Sequence, residues 1–129
     1  MERYFIGIDL GGTKISCAAA DIEGNIKAEA TIPTLAHEGE KPVIGRMIEA
    51  VEKVLTELGA NAESINAIGI GSPGPLDAEQ GVIITTPNLP FKNFNIIAPI
   101  KERFKVPVFL DNDANVAAIG EHLLGAGRG

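Results

Sequence analysis

Cysteine is nearly absent from this chain. One residue, Cys17, excludes an internal disulfide and any multi-cysteine metal site. Cys17 falls in an expected strand and reads as a small buried apolar side chain. Histidine is almost as scarce. His37 reads as a surface loop residue and His122 as a solvated or packing residue, and with no paired spacing between them a metal centre is not expected. Positive charge is in deficit: 11 Lys and Arg against 17 Asp and Glu leave −6, which argues against nucleic acid or an anionic membrane as a partner. No apolar run approaches the roughly 18 residues of a spanning helix. Asp9 interrupts the first apolar stretch too early for a signal peptide, so a cytoplasmic location is expected. There is no internal repeat and no low-complexity tract.

What remains is an ordinary globular composition. At 129 residues, 45% apolar and 22% charged, the chain makes about one domain with a real core. Tyr4 to Asp9, Lys14 to Asp21 and Ile26 to Ile32 read as three strands of an antiparallel meander, with Glu23-Gly24-Asn25 as a turn. Pro33 to Pro42 reads as polar loop. Ile44, Met47, Ile48, Val51, Leu55 and Leu58 recur at three- and four-residue steps, an amphipathic helix closed by Gly59. Ile65 to Gly71 is the next strand, and Gly81 to Thr85 a short extended piece. Ile97 to Phe104 reads as a short helix interrupted early by Pro99, Val106 to Leu110 as a buried strand, and Asp111 to Leu124 as the last helix. The order βββαβαβα is that of one lobe of the ribonuclease H-like, actin-like ATPase fold, an α/β class with a mixed five-stranded sheet; the pattern alone leaves other α/β sheets open, and the placement of the motifs narrows it. In such sheets the useful loops lie beyond the carboxyl ends of the parallel strands.

Polar clusters fall at those strand ends. Asp9-Leu10-Gly11-Gly12-Thr13-Lys14 follows the first strand. Two glycines let backbone N–H groups approach a phosphate, Thr13 and Lys14 add a hydroxyl and a cation, and Asp9 suits a magnesium ion or its waters. The glycine pair also suits a plain two-residue hairpin. Gly71-Ser72-Pro73-Gly74-Pro75 makes a rigid loop or a simple connection after the fourth strand. Asn88, in Thr86-Pro87-Asn88-Leu89-Pro90, has the donor and acceptor that a sugar hydroxyl needs, or turns back on its own backbone. Asp111-Asn112-Asp113-Ala114-Asn115 closes the fifth strand. A helix cap explains one of these polar residues, not four in five positions. Asp113 is the candidate base for an attacking hydroxyl.

Together the Asp-Leu-Gly-Gly-Thr-Lys turn, Gly-Ser-Pro-Gly-Pro-Leu-Asp, Thr-Pro-Asn-Leu-Pro and Asp-Asn-Asp-Ala-Asn-Val-Ala-Ala-Ile-Gly-Glu closely resemble the ROK family (repressor, open reading frame, kinase), and within it the glucokinases. The first motif is shared by many actin-like ATPases; the last, with Gly-Ala-Gly-Arg-Gly after it, is strongly specific. The resemblance implies that Asp9, Gly11, Gly12, Thr13 and Lys14 form a phosphate loop for ATP with magnesium. It implies that Asp113 deprotonates the 6-hydroxyl of a hexose, and that Gly74, Asn88 and Asn112 contact the sugar beside it.

Family kinases carry a second, similar lobe with an adenosine loop, further sugar contacts and a cysteine-rich zinc motif, none of which occurs in this sequence. Residues 1–129 are therefore expected to be an amino-terminal lobe, inactive alone and dimeric as the full-length protein, with any zinc ligands outside this chain. The alternatives are a ROK kinase for another sugar (N-acetylglucosamine, N-acetylmannosamine, fructose) and a ROK sugar-sensing repressor. Repressors of the family place a winged helix-turn-helix before the first strand, where this sequence has Met1, Glu2 and Arg3.

Overall fold

The computed structural model describes residues 3–86 and 88–112. Strands β1 (Tyr4–Leu10), β2 (Lys14–Ala20) and β3 (Ile26–Pro33) form the expected antiparallel meander. Helix α1 (Glu40–Leu58) leads to β4 (Ile65–Gly71). Three short strands follow, β5 (Leu76–Asp77), β6 (Val82–Thr85) and β7 (Lys92–Asn95), then α2 (Ile97–Phe104) and β8 (Val108–Asp111). The main sheet has five strands in the order β3-β2-β1-β4-β8 and is mixed, because β4 runs parallel to both β1 and β8. A second, antiparallel sheet holds β5-β6-β7.

Period-two alternation gives the main sheet two distinct faces. Ile6, Ile8 and Leu10 of β1 point to one face and join the main core with Ile68 and Ile70 of β4. That face receives α1, whose Val43, Met47, Ala50, Val51 and Val54 are completely buried. Gly59 ends α1 with φ 66°, and the Ala60 N–H turns back to the Leu55 carbonyl at 2.9 Å. That left-handed terminus is why glycine stands there. Cys17 sits on the same core face at 2% exposure, and burial pushes its thiol up to about 12. The opposite face carries a smaller cluster: Phe5, Ala20 and Ala67 are buried there, with Phe109 packed against them.

The structure alters several expected boundaries. Leu35 to Glu38 and Pro42 are not plain loop: a 3-10 turn spans Ala36–Glu38, and α1 begins at Glu40. Pro42 fits because a first-turn residue has no intrahelical N–H bond to lose. Pro99 is tolerated in the same way and does not interrupt α2. One extended piece was expected over Gly81 to Thr85; it is the middle strand of a sheet whose outer strands, β5 and β7, carry Asp77, Asn93 and Asn95, residues that favour turns. Asp111 is not helical but ends β8, paired with Gly71. The expected helix beyond it lies outside the described residues.

Candidate active site

Strand register sets three polypeptide ends in one row. Asp9 of β1 pairs with Gly71 of β4, and Gly71 pairs with Asp111 of β8. The three strands are parallel, so the row lies at their carboxyl ends, where loops of open α/β sheets build ligand sites. Neighbouring strands are about 4.8 Å apart, so the Asp9 and Asp111 backbones lie about 10 Å from each other across the glycine. Paired residues share a face. Both carboxylates therefore emerge on the side away from α1, with no side chain from Gly71 between them, and both residues are exposed. Beside Asp9 an open hollow of about 210 Å³ runs toward Ser16, Glu29 and Thr31.

The di-glycine bend closes between β1 and β2, with the Gly11 N–H donating to the Lys14 carbonyl at 3.0 Å. Thr13 and Lys14 are exposed at its rim. A Cβ added to Gly12 would lie 2.6 Å from the Asn88 Cβ and 3.0 Å from its carbonyl oxygen. Only glycine permits that approach, so two separate motifs of the sequence are in contact here. Asn88 is exposed and has φ 72°, a left-handed conformation that asparagine tolerates better than most residues. Phe91 anchors its loop from one side, 2% exposed and packed on Phe94 with ring centroids 4.9 Å apart. Buried Thr86 anchors it from the other.

A second contact joins the remaining motifs. A Cβ on Gly74 would stand 3.1 Å from the Asn112 Nδ2. The Ser72 N–H donates to the Asp111 carbonyl at 3.0 Å, which carries the β4–β8 ladder one residue beyond the strands. Asn112 donates its own N–H to the Asp111 carboxylate at 2.6 Å. Asp113 lies outside the described residues, two positions past Asp111. Among the described residues no group of three or more His, Cys, Asp or Glu could hold a metal ion. Asp9 alone still suits magnesium, because that ion binds through one or two carboxylates together with substrate phosphates, and the hollow beside Asp9 leaves room for its waters. Asp111, which the sequence shows in the polar cluster after the fifth strand but gives no role and places at a helix start, stands in this row at the end of β8. Thr34, whose hydroxyl donates to the Gly11 carbonyl at 2.6 Å, stood in an apparently plain loop, and only tertiary structure brings it to the bend.

The model of the ROK family matches residues 5–129. The chain belongs to the ROK family. It is 38% identical over 125 residues to a glucokinase of Thermotoga maritima, covering 96% of this chain and 38% of that protein. A ROK hexokinase structure from Thermus thermophilus superposes with a TM-score of 0.76 at 41% identity, covering 95% of this chain and 38% of the other. A ROK family glucokinase from Streptomyces griseus, in complex with glucose and AMPPNP, gives a TM-score of 0.76 at 31% identity over 98% of this chain and 38% of that one. Repressors match as well: the xylose repressor of Bacillus subtilis is 31% identical over 97% of this chain and 32% of its own length. The chain thus spans less than two fifths of each protein. These relatives establish a ROK lobe of actin-like ATPase fold, with kinases prominent among them.

Proposed function

We propose that this chain is the amino-terminal lobe of an ATP-dependent hexose kinase that phosphorylates the 6-hydroxyl of glucose. The observation that carries the reading is the row Asp9–Gly71–Asp111, with the di-glycine bend at one end and the strand leading into Asp113 at the other. Phosphoryl transfer asks for positioning and charge neutralisation more than covalent chemistry. The Gly12 N–H, with Thr13 and Lys14, takes the nucleotide phosphates, while the Gly11 N–H is spent closing the bend on the Lys14 carbonyl. Magnesium held near Asp9 would neutralise charge on those phosphates. Asn88, Gly74 and Asn112 hold the sugar, and Asp113 accepts the proton of its 6-hydroxyl as the O6–phosphorus bond forms and the bond to ADP breaks. The glucose and AMPPNP bound in the Streptomyces griseus relative support that pairing of substrates.

The relatives are more than twice as long as this chain, and the rest of the catalytic unit is assigned to the remainder of their length. The 129-residue chain alone is expected to fold and to phosphorylate no sugar. The deciding experiment is a panel of hexoses and acetylated hexosamines with ATP and magnesium, run on the full-length gene product. Glucose should be the preferred substrate; turnover of none of them contradicts the proposal. Asp113→Asn should keep sugar affinity and lose about 10²- to 10⁴-fold in kcat, and a wild-type rate would remove Asp113 from the base role. The xylose repressor match favours one second reading, a sugar-sensing repressor. Sequence-specific DNA binding by the full-length protein, without sugar turnover, would select it.

A further inference from the structure

The bend between β1 and β2 is gripped from the core side by a residue that no motif contains. Thr34, the first residue past β3, is completely buried. Its backbone N–H donates to the Thr13 carbonyl at 3.0 Å, and its hydroxyl donates to the Gly11 carbonyl at 2.6 Å. Its own carbonyl accepts from Arg46 Nη1, on α1, at 2.8 Å. The Arg46 guanidinium also pairs with Glu38. One threonine therefore holds both arms of the bend, and an arginine of the helix holds the threonine.

Two adjacent glycines have the widest backbone freedom of any dipeptide, so their N–H directions must be set from outside. A trans peptide carries its C=O and N–H on opposite sides. With the Gly11 carbonyl bonded to the buried Thr34, the Gly12 N–H of the same peptide is directed to the opposite side, away from Thr34. A donor fixed before its ligand arrives needs no reorganisation when charge develops on that ligand. Arg46 is committed to the Thr34 carbonyl and to Glu38, so its charge serves the anchor and not the ligand.

We propose that Thr34, braced by Arg46, is a positioning residue that aims the Gly12 N–H at a phosphate of the nucleotide. The role rests on the kinase reading above. Its test uses the full-length gene product with ATP, magnesium and the sugar it phosphorylates. Thr34→Val keeps the shape and removes the hydroxyl; Thr34→Ser keeps the hydroxyl. The valine variant should raise the KM for ATP and lower kcat/KM for ATP by about 10-fold, leaving the KM for sugar unchanged, and serine should recover most of the loss. A purely structural threonine would reduce the amount of active enzyme without moving the KM for ATP. An unchanged KM for ATP in Thr34→Val, or a serine variant no better than valine, overturns the role. If the valine variant fails to fold, Arg46→Gln takes its place: it leaves the hydroxyl bond and weakens its brace, and should raise the KM for ATP by about 3-fold with the sugar KM unmoved. No change there overturns the role too. A wild-type protein that transfers no phosphate from ATP to any sugar refutes the kinase reading and the role with it; wild-type turnover alongside an indifferent Thr34 refutes the role alone.

Discussion

Gly12 shows how one missing Cβ lets two separate loops meet. Its contact with Asn88 puts the proposed phosphate bend against the proposed sugar loop. Gly12→Ala would force a Cβ to within 2.6 Å of the Asn88 Cβ, and neither partner is the far end of a flexible side chain. The expected result is a loss of about 1–3 kcal/mol of stability, read by denaturant unfolding, together with a higher KM for ATP and for sugar alike. A variant that moved only one KM would mean that the two loops act separately. Cys17 offers a different check. Its thiol, pushed up to about 12 by burial, stays protonated at neutral and mildly alkaline pH. Thiol-directed reagents should leave it unmodified at pH 8 in the folded chain and modify it promptly in denaturant. At this scale the sequence displayed Asp9, the glycines and Asn88 through residue type alone. It concealed Thr34, because a lone threonine between Pro33 and Leu35 has no signature until β3 carries it to the bend.

Elements were easiest to read where period and punctuation agree. The apolar steps of α1 and the glycine after it leave one solution, a helix lying on the face of Ile6, Ile8 and Leu10. Met47, wholly buried at the centre of that contact, should cost about 2–5 kcal/mol when changed to alanine, measured by chemical denaturation. A smaller loss would mean that α1 collapses readily onto the sheet. The short sheet β5-β6-β7 was harder to read because its strands are two to four residues long and its outer members hold asparagine and aspartate. Tertiary pairing overrides propensity there. Its purpose is positional: Phe91 and Phe94 pack at its side and fix the loop that presents Asn88. The end of β8 shifted for the same reason. Asp111 continues the ladder because β4 offers it a partner, a fact about register that no local pattern carries.

For the molecule as a whole, the order β3-β2-β1-β4-β8 is the frame on which the proposed chemistry depends. Placing β4 between β1 and β8 is what sets Asp9 and the Asp111–Asn112 segment on either side of a single glycine. The motif order in the sequence was enough to suggest this, because parallel strands bring their carboxyl ends together. The contacts of Gly12 with Asn88 and of Gly74 with Asn112 were not readable, since they depend on how far each loop leans. Assembly belongs to this scale as well. The full-length protein should sediment as a dimer, and a monomer at high concentration would contradict that expectation. In the proposed kinase, the di-glycine bend and the acid following β8 serve one cleft. The most direct measurement of this is a crystal structure of the full-length protein with glucose and a non-hydrolysable ATP analogue. The nucleotide phosphates should lie against Gly11 to Lys14, with the Asp113 carboxylate within about 2.6–3.2 Å of the glucose 6-hydroxyl. Phosphates bound elsewhere, or Asp113 turned away from the sugar, would contradict a shared cleft.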